Sequence, residues 1–374
     1  MKYIKDNWMD QHYPVRDLDK HIISAADWIL HAQSQTNDNG VPHSWDIRQN
    51  KWLPSYPETT GYIIPTLFDV SRVFKEERYA KAAERMAIWE ADIQLEDGGV
   101  MAGHMGAEVV VPTIFNTGQV LFGWARCAQE TGSAVCIGAL KKAADWLLDA
   151  MDEDGAWRKY PSPFAPGSIK LYNVRCAFGL VKAYEVLEDQ KYIDAAVRNV
   201  EFVLSAADDN GWFASNCLTD NPDALTHTIA YTMRGIMEVG AATQNERFLE
   251  FASNMARRVN KLQNEDGSYP ARVRADWSSN YNWSCITGNS QLALNNYRLH
   301  EILSDNSFLS PAKRANRFNM SMQDTVTRDQ NIRGALKGSH PINGGYMTYR
   351  YPNWAAKFFI DALLKERSAL TDSC

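Results

Sequence analysis

The sequence of 374 residues lacks any apolar run close to the ~18 residues that a membrane-spanning helix needs. Residues 1–8 also lack the apolar stretch of a secretory signal peptide. Basic residues number 39 against 45 acidic ones, so the chain has no overall positive charge for nucleic acid or anionic lipid. We therefore predict a cytoplasmic protein with no membrane span and no nucleic-acid partner.

Metal and nucleotide motifs are missing as well. The six cysteines are far apart, with no Cys-x-x-Cys pair and no histidine at a zinc-ligand spacing. The Gly-Gly pairs at 98–99 and 344–345 do not follow a strand, which a nucleotide-binding loop requires. We expect reduced, mostly buried thiols, no metal and no cofactor. The Asp-x-Asp-Asp signature of squalene-hopene-type cyclases and the Cys/His zinc set of lanthionine cyclases and protein prenyltransferases are also absent.

A short Asp/Asn-Gly signal recurs through the chain and is the main evidence for the fold. Its glycines occupy positions 40, 98, 155, 211 and 267, which are 58, 57, 56 and 56 residues apart. A sixth, degenerate copy lies at 329–334. Each signal follows a stretch with apolar residues at helical spacing, and glycine supplies the left-handed conformation that ends a helix. A repeat of this length predicts helical hairpins.

A second, more apolar helix is predicted after each signal. These second helices are predicted near 58–74, 113–131, 171–188, 225–243, 285–304 and 352–368. Helices that are apolar all round are buried, so these six should form an inner ring inside six amphipathic outer helices. We predict a single domain, residues 1–374, with an all-α (α/α)6 toroid fold. An open solenoid is the alternative, but its last helix would need a polar face, and residues 353–364 are apolar.

The loops before the inner helices should meet on one face of this toroid. Six helix N-termini would then point at a common cleft and favour a bound anion. Thr60, Thr117, Asn173, Thr228 and Thr287 recur at these N-termini, where they either cap the helices or contribute to a site. We place the functional site on this face.

Two groups of residues are candidates for this site. The inner N-termini supply Glu58, Tyr62, Asn116, Tyr172, Asn173, Arg175, His227, Tyr231 and Gln291. The loops supply Trp45, Tyr56, His104, Arg272, Arg274, Asp276, Trp277, Tyr281, Trp283, His340, Tyr346, Tyr349 and Tyr351. Aromatic loop residues suit stacking on sugar rings. Arg272 and Arg274 alternate, so both could point the same way from an extended strand and bind a carboxylate.

Two segments resemble a known family. Residues 56–70, beginning Tyr-Pro-Glu-Thr-Thr-Gly-Tyr, resemble the Tyr-Pro-x-Thr segment in the helical domain of glucuronyl C5-epimerases. Residues 94–99, Gln-Leu-Glu-Asp-Gly-Gly, resemble the Gln-Asp-Glu-x-Gly-Gly turn of the same enzymes. Those epimerases have an additional β-rich domain for which this chain has no room. The architecture as a whole resembles toroidal carbohydrate-active enzymes and, more distantly, terpenoid-cyclase-like toroids.

The resemblance implies proton abstraction next to a uronate carboxylate, with tyrosines as base and acid. Tyr56, Tyr62, Tyr231, Tyr281 and Tyr349 are candidates for these roles. Stabilisation of the enolate would come from Arg175, Arg272, Arg274, Asn116 or His227. Reprotonation gives an epimerase and β-elimination gives a lyase. The expected partner is a uronate-containing oligo- or polysaccharide, with a role in surface-polysaccharide biosynthesis as a hypothesis.

Three other functions remain open. A glycoside hydrolase would need two carboxylates about 5–10 Å apart, and Glu58 with Asp276 is the pair to test. The other carboxylates on the loop side are Glu108, Asp220 and Asp223. The remaining alternatives are a terpenoid-cyclase-like enzyme with an apolar cavity and a non-catalytic sugar-binding toroid.

Overall fold

The structure is a computed structural model that describes residues 11–165, 167, 169–219 and 221–371. Twelve α-helices lie in these residues, alternating between an outer and an inner position. The outer helices are α1 (Leu18–Gln33), α3 (Glu77–Asp92), α5 (Ala134–Ala150), α7 (Gln190–Ser205), α9 (Glu246–Asn260) and α11 (Leu309–Ser321). The inner helices are α2 (Pro57–Phe74), α4 (Ile114–Thr131), α6 (Val174–Leu187), α8 (Thr226–Thr243), α10 (Ile286–Leu303) and α12 (Asn353–Thr371). Every predicted boundary of an inner helix agrees within three residues.

The inner helices form a closed ring. Each inner helix contacts the next one along the chain, and α12 contacts both α1 and α2. The fold is the predicted (α/α)6 toroid, and the open solenoid is excluded. None of the described helices combines the length and apolar character of a bilayer-crossing segment. The five described cysteines are buried and free.

Short antiparallel strands tie the loops together on the face where the inner helices begin. They are β1 (Ser44–Asp46), β2 (Lys51–Trp52), β3 (Ala224–Leu225), β4 (Arg272–Val273), β5 (Ser284–Cys285), β6 (Ser339–His340) and β7 (Arg350–Pro352). The pairings are β2-β1-β7, β3-β4 and β5-β6. Trp45 of β1 lies opposite Tyr351 of β7, so the first and last loops meet in one sheet. This pairing closes the loop face of the ring.

The recurring Asp/Asn-Gly signal forms a similar turn in the first five copies, in which the Asp or Asn side chain accepts the N–H two residues on. In the second copy the Asp97 carboxylate accepts the Gly99 N–H at 3.0 Å, and Gly98 has a φ of 98°. Later copies have a left-handed glycine at the same place, namely Gly155, Gly211 and Gly267. In the first copy Asn39, with a φ of 69°, occupies this place, so the true repeat position is one residue before Gly40.

Each turn packs against the following outer helix. A Cβ atom on Gly155 would lie 2.4 Å from the Arg198 carbonyl oxygen in α7. Gly334, in the degenerate sixth copy, has a φ of 88°, and its Cβ would lie 2.0 Å from the Ser24 carbonyl oxygen in α1. The sixth copy predicted from the sequence therefore joins the last outer helix to the first.

A glutamine side chain bridges several of these joints. Gln94 Nε2 donates to the Gly98 carbonyl of its own turn at 2.9 Å and to the Ala139 carbonyl of α5 at 3.0 Å. Gln263 and Gln323 make the equivalent pair of bonds in the fifth and sixth copies. These bonds satisfy backbone carbonyls that the turn leaves without a helical partner.

We expect Gly155→Ala to lower the free energy of unfolding by about 2–4 kcal/mol, because the new Cβ both strains a left-handed residue and collides with the α7 backbone. Gly138→Ala is the matched control, since nothing lies within 4 Å of a Cβ at this exposed helical position. The control should raise stability by about 0.5–1 kcal/mol. Chemical denaturation measures both. If the Gly155 variant is as stable as the wild type, the tight packing of this turn against α7 is contradicted.

Glu90 of α3 is a buried carboxyl group without hydrogen-bond partners among the described residues. Its exposed fraction is 0%, and neither carboxyl oxygen is bonded. Burial raises the pKa of Glu90 well above its ordinary value of 4.5, and Asp38 adds to the effect. Because the folded pKa is the higher one, stability from this group is complete below the ordinary pKa and falls as the pH rises.

We therefore expect Glu90→Met to raise the free energy of unfolding, by about 1–3 kcal/mol above neutral pH, and by less in acid. Denaturation across a pH series measures the difference. Glu84→Met, on the exposed face of the same helix, should change stability little at any pH. A Glu90 variant that is less stable than the wild type above neutral pH would show that the carboxylate is satisfied.

Candidate active site

A cavity of about 340 Å³ opens on the loop face, at the N-terminal ends of α2, α4, α8 and α12. We call it the loop-face cavity. It is lined by His43, Tyr56, Glu58, Thr59, Tyr62, Gly103, His104, Phe115, Asn116, Ser162, Phe164, Ala165, Tyr172, Leu218, His227, Tyr231, Tyr346, Met347 and Trp354. Nine residues predicted from the sequence are among them, namely Tyr56, Glu58, Tyr62, His104, Asn116, Tyr172, His227, Tyr231 and Tyr346.

Glu58 is the acidic residue of this cavity. It lies in the first turn of α2, which starts at Pro57 because proline fits the first helical position. Burial raises the pKa of Glu58 to about 7, while the hydrogen bond from Tyr56 and the charge of Arg175 act to lower it. The Tyr56 hydroxyl donates to Glu58 Oε2 at 3.2 Å. A carboxyl group in this state can both give and take a proton near neutral pH.

His43 forms one wall of the cavity. Its ring packs edge-on against Tyr56, with 5.1 Å between centroids, and against Trp354 at 4.7 Å. Nδ1 is 2.9 Å from the Ser44 hydroxyl oxygen. Burial lowers the pKa of His43 to about 3, with smaller contributions from Arg350 and His104. The imidazole is therefore neutral at physiological pH.

His227, in the first turn of α8, forms another wall. Its Nδ1 is 2.8 Å from Gln291 Oε1, so that nitrogen donates and the neutral ring leaves Nε2 as an acceptor. Its ring contacts Tyr231 at 4.4 Å and Tyr346 at 5.3 Å. Burial lowers the pKa of His227 to about 4. Gln291, which we predicted to bind substrate, instead orients this histidine from behind.

Tyrosines form the floor and one side of the cavity. Burial raises the pKa of Tyr62, Tyr231 and Tyr346, and also that of Tyr56. The Tyr346 hydroxyl accepts the Trp354 indole N–H at 3.0 Å. These phenols are neutral hydrogen-bonding groups at physiological pH. The hypothesis that a tyrosine is the base loses its support, because a raised pKa disfavours tyrosinate.

Asn116, Tyr172 and His104 complete the set of predicted residues in the lining. Asn116 Nδ2 donates to the Met101 carbonyl at 2.8 Å, which holds the loop between α3 and α4. The Tyr172 ring packs edge-on against Phe115 at 5.2 Å. His104 is exposed at the rim, with Nδ1 3.0 Å from the Met105 carbonyl.

Arg175 lies below the floor and not in the loop-face cavity. Its guanidinium carbon is 4.8 Å from the centre of the Tyr231 ring, and its Nε donates to Gln119 Oε1 at 2.8 Å. Arg175 lines a second cavity of about 300 Å³ between the inner helices, which we call the rear cavity. Tyr62 borders both cavities.

The structure corrects the prediction that Arg272 and Arg274 present two guanidinium groups to a ligand. Strand β4 ends at Val273, so the two residues do not share one extended strand. Arg272 Nη1 donates to the Asp223 carbonyl at 2.7 Å. Arg274 Nη2 donates to Asn280 Oδ1 at 2.6 Å, and its Nε is 3.8 Å from Asp223 Oδ2. Arg272 therefore ties its loop to the loop between α7 and α8, Arg274 bonds within its own loop, and both side chains lie outside the lining of either cavity.

Asp276, Trp277 and Tyr281 are likewise loop-building residues. The exposed Asp276 carboxylate accepts the Ser278 N–H at 2.9 Å within a turn, so it is not paired with Glu58. Trp277, with a φ of 60°, donates its indole N–H to the Asn210 carbonyl of the preceding repeat. The Tyr281 hydroxyl donates to Asp223 Oδ2 at 2.8 Å.

Six further predicted residues also lie outside the lining. Trp45 packs on Trp52 with 5.3 Å between ring centroids, and Arg48 covers the Tyr349 ring at 4.9 Å. Such contacts stabilise the loop sheet. The six residues are Trp45, Asn173, Trp283, His340, Tyr349 and Tyr351. Among the described residues, no group of three or more His, Cys, Asp or Glu side chains is arranged to hold a metal ion.

Several residues of the lining were not predicted from the sequence. The register of the repeat would have identified two of them, Phe115 and Trp354. Glu58, His227 and Trp354 are each the second residue of an inner helix, as is Phe115. Tyr62 and Tyr231 follow Glu58 and His227 by four residues, one helical turn deeper. His43 carries no such signal, because it comes from the loop between α1 and β1.

Comparison with known proteins gives structural similarity without close sequence similarity. No protein-family model matches the chain, and a search of curated proteins gives no match. Among solved structures, an unsaturated glucuronyl hydrolase specific for heparin has a TM-score of 0.75 at 16% identity, covering 96% of this chain and 98% of that one.

Two further structures are similar. The unsaturated glucuronyl hydrolase from Bacillus sp. GL1, responsible for the degradation of glycosaminoglycan, has a TM-score of 0.76 at 16% identity, covering 95% of this chain and 98% of that one. Cellobiose 2-epimerase from Bacillus thermoamylovorans B4167 has a TM-score of 0.70 at 13% identity, covering 91% and 96%. At these identities, the chain shares the (α/α)6 toroid with carbohydrate-active enzymes.

Proposed function

We propose that the chain is a carbohydrate-active enzyme that removes an unsaturated uronyl residue from the end of an oligosaccharide, with Glu58 as proton donor and acceptor. One observation carries the proposal. Glu58 is the single Asp or Glu side chain among the described residues that line the loop-face cavity, and burial raises its pKa to about 7. Proton transfer by a carboxyl group in this cavity would therefore run through Glu58 alone.

An unsaturated uronyl residue is a substrate for which one carboxyl group suffices. Its C4=C5 double bond is an enol ether, so protonation at C4 places positive charge on C5, next to the ring oxygen. Water then adds to C5 and returns a proton to the same carboxylate. The resulting hemiketal opens, C1 becomes a hemiacetal, and the remaining sugar leaves as an alcohol. No second carboxylate acts as nucleophile or base.

A conventional two-carboxylate hydrolase fits this cavity less well. That chemistry needs two carboxyl groups about 5–10 Å apart around the scissile bond. Asp276 is held in an exposed turn, and Asp223 accepts the Tyr281 hydroxyl. Glu108 is exposed and does not line the cavity, and Asp220 lies outside the described residues. Glu58 has no second carboxylate beside it in the described lining.

The size of the cavity and the helix ends around it support a terminal, anionic sugar. Its volume of about 340 Å³ is at the small end of ligand sites, and Tyr62 and Tyr231 close its floor. A closed cavity of this size suits the end of a saccharide better than the interior of a polymer. The inner helices α2, α4, α8 and α12 begin around it, and helix N-termini favour anionic groups. Similarity to glucuronyl hydrolases agrees with this substrate class.

Epimerisation is the second candidate, and a different observation favours it. His43 and His227 both line the cavity as neutral imidazoles, with pKa values lowered by burial to about 3 and 4. Two neutral bases around one sugar could move a proton between its faces, and cellobiose 2-epimerase is among the similar structures. Their low pKa values make them weak bases for a carbon-bound proton, so this candidate ranks second.

We expect Glu58→Gln to lower kcat/KM on unsaturated uronyl disaccharides by about 10²–10⁴-fold, because the amide cannot transfer the proton. The loss of ultraviolet absorbance from the conjugated double bond measures the reaction. Asp276→Asn is the control and should keep near wild-type activity, since its carboxylate only caps a turn.

The same reaction in deuterated water separates the two candidates. Hydration places deuterium at C4 of the residue that was the unsaturated uronyl group, whereas epimerisation of a saturated uronate places it at C5. NMR distinguishes the two positions. If the wild-type protein leaves the double bond intact, the hydrolase proposal is contradicted. Deuterium at C5 of a saturated uronate would then support the epimerase instead. If the Asp276 variant is as inactive as the Glu58 variant, the two-carboxylate hydrolase with Glu58 and Asp276 becomes the better explanation.

The pH dependence gives an independent test of Glu58. As a proton donor it must be protonated, so kcat/KM should fall as the pH rises through about 7. The Tyr56 hydrogen bond lowers the pKa of Glu58, so Tyr56→Phe should move this alkaline limb to higher pH. Tyr160→Phe, at an exposed tyrosine outside the lining, should leave the limb in place. A limb that moves to lower pH in the Tyr56 variant would assign it to another group.

A further inference from the structure

The rear cavity lies on the other side of the tyrosine floor, between the inner helices. Among the described residues, seven lysine and arginine side chains line it, contributed by five of the six inner helices. Three carboxylates of the described residues line it, namely Asp69, Glu238 and Asp361. The cavity wall is therefore strongly cationic, although the protein as a whole has a net charge of -6.

The three carboxylates are already engaged. Glu238 pairs with Arg234 at 2.8 Å and with Arg298 at 3.0 Å, and Asp361 pairs with Lys357. Asp69 pairs with Arg126 in the same way. The remaining lysines of the wall pair with glutamates outside the lining.

Arg175 is the exception in this wall. It is 6% exposed, donates Nε to Gln119, and pairs with no carboxylate among the described residues. Its guanidinium group lies against the rings of Tyr231, Phe122 and Phe358, at 4.8, 5.1 and 5.5 Å. A buried cation without a counter-ion is costly, and aromatic rings compensate only part of that cost. The missing partner is an anion.

Complementation of helix dipoles does not explain Arg175. Cations are favourable in the last turn of a helix. Arg175 is instead the second residue of α6, where the positive end of the dipole opposes a cation. Arg234, near the middle of α8, also has a buried Nη1 atom with no hydrogen-bond partner in the described residues.

We propose that the rear cavity binds a tetrahedral oxyanion, a phosphate or sulfate group, with Arg175 and Arg234 as its principal ligands. Guanidinium donors from different inner helices approach the axis from different directions, which matches the tetrahedral array of oxygen atoms on such a group. The cavity volume of about 300 Å³ accommodates the free ion or a small ester of it.

Binding is tested by calorimetry and by thermal unfolding with inorganic phosphate, inorganic sulfate and glucose 6-phosphate, against sodium chloride at equal ionic strength. We expect a saturable rise in Tm with phosphate or sulfate beyond the chloride effect, since a ligand of the folded state stabilises it. A stronger effect of glucose 6-phosphate would identify an ester as the ligand, and an equal or weaker effect would identify the free ion.

The variant Arg175→Met should bind phosphate at least about tenfold more weakly, while remaining at least as stable as the wild type without phosphate, because it removes an unpaired buried cation. Arg234→Met tests the same site independently and should also weaken phosphate binding. Arg247→Met is the matched control, since Arg247 pairs with Glu201 on the exposed outer helices.

Saturable binding that is unchanged in both cavity variants, or a wild-type protein that responds to phosphate only as it does to chloride, would overturn the proposal. An Arg175 variant markedly less stable than the wild type in the absence of oxyanions would also overturn it, because Arg175 would then be a satisfied structural residue. These readouts use no enzymatic activity, so they do not depend on the proposed function.

Discussion

The joint between each turn and the next outer helix is the contact on which the rest of the structure depends. In four of the six copies the left-handed glycine, which is Gly98, Gly155, Gly267 or Gly334, sits directly on the backbone of the following outer helix and leaves no room for a side chain. Where a glutamine such as Gln94 bridges the joint, it binds the turn and the next helix together. A repeat joined in this way fixes the rotation from one hairpin to the next. The ring can close only because Gly334 makes the same joint with Ser24 of the first helix.

A closed ring explains why so much of the architecture could be predicted from the sequence. The period of the Asp/Asn-Gly signal marks the end of each outer helix, and all-round apolar character identifies the inner helices. The period of the repeat also determines which residues of the inner helices face the axis of the ring. In four of the six inner helices the second residue reaches the same cavity, which brings together Glu58, Phe115, His227 and Trp354 although they are far apart in the chain. Most of the candidate residues at the inner N-termini line the loop-face cavity for this reason.

Most of the candidate residues from the loops lie outside this cavity, because the period carries no information about the positions of loop residues. Arg272, Arg274 and Asp276 have the right chemistry for a uronate site, but hydrogen bonds to a carbonyl of a neighbouring loop, to a loop amide and to a turn N–H group satisfy them. Those bonds depend on the path of the chain between elements, which varies from one copy to the next. His43 shows the reverse case, since its loop brings it to the cavity without any signal in the sequence. The sequence alone therefore does not tell whether a loop arginine bonds to other loop groups or faces a ligand, and the three-dimensional structure is needed to distinguish the two.

The two cavities are connected electrostatically through their shared floor. The pKa of Glu58 is near 7 because burial raises it while the Tyr56 hydrogen bond and the charge of Arg175 hold it down. A carboxylate beside Arg175 would cancel much of that charge and leave Glu58 protonated to a higher pH. The absence of such a carboxylate among the described residues is therefore consistent with an acid that must change protonation near neutrality. An anion in the rear cavity would act on Glu58 in the same direction as that carboxylate, so occupancy of one cavity would alter proton transfer in the other.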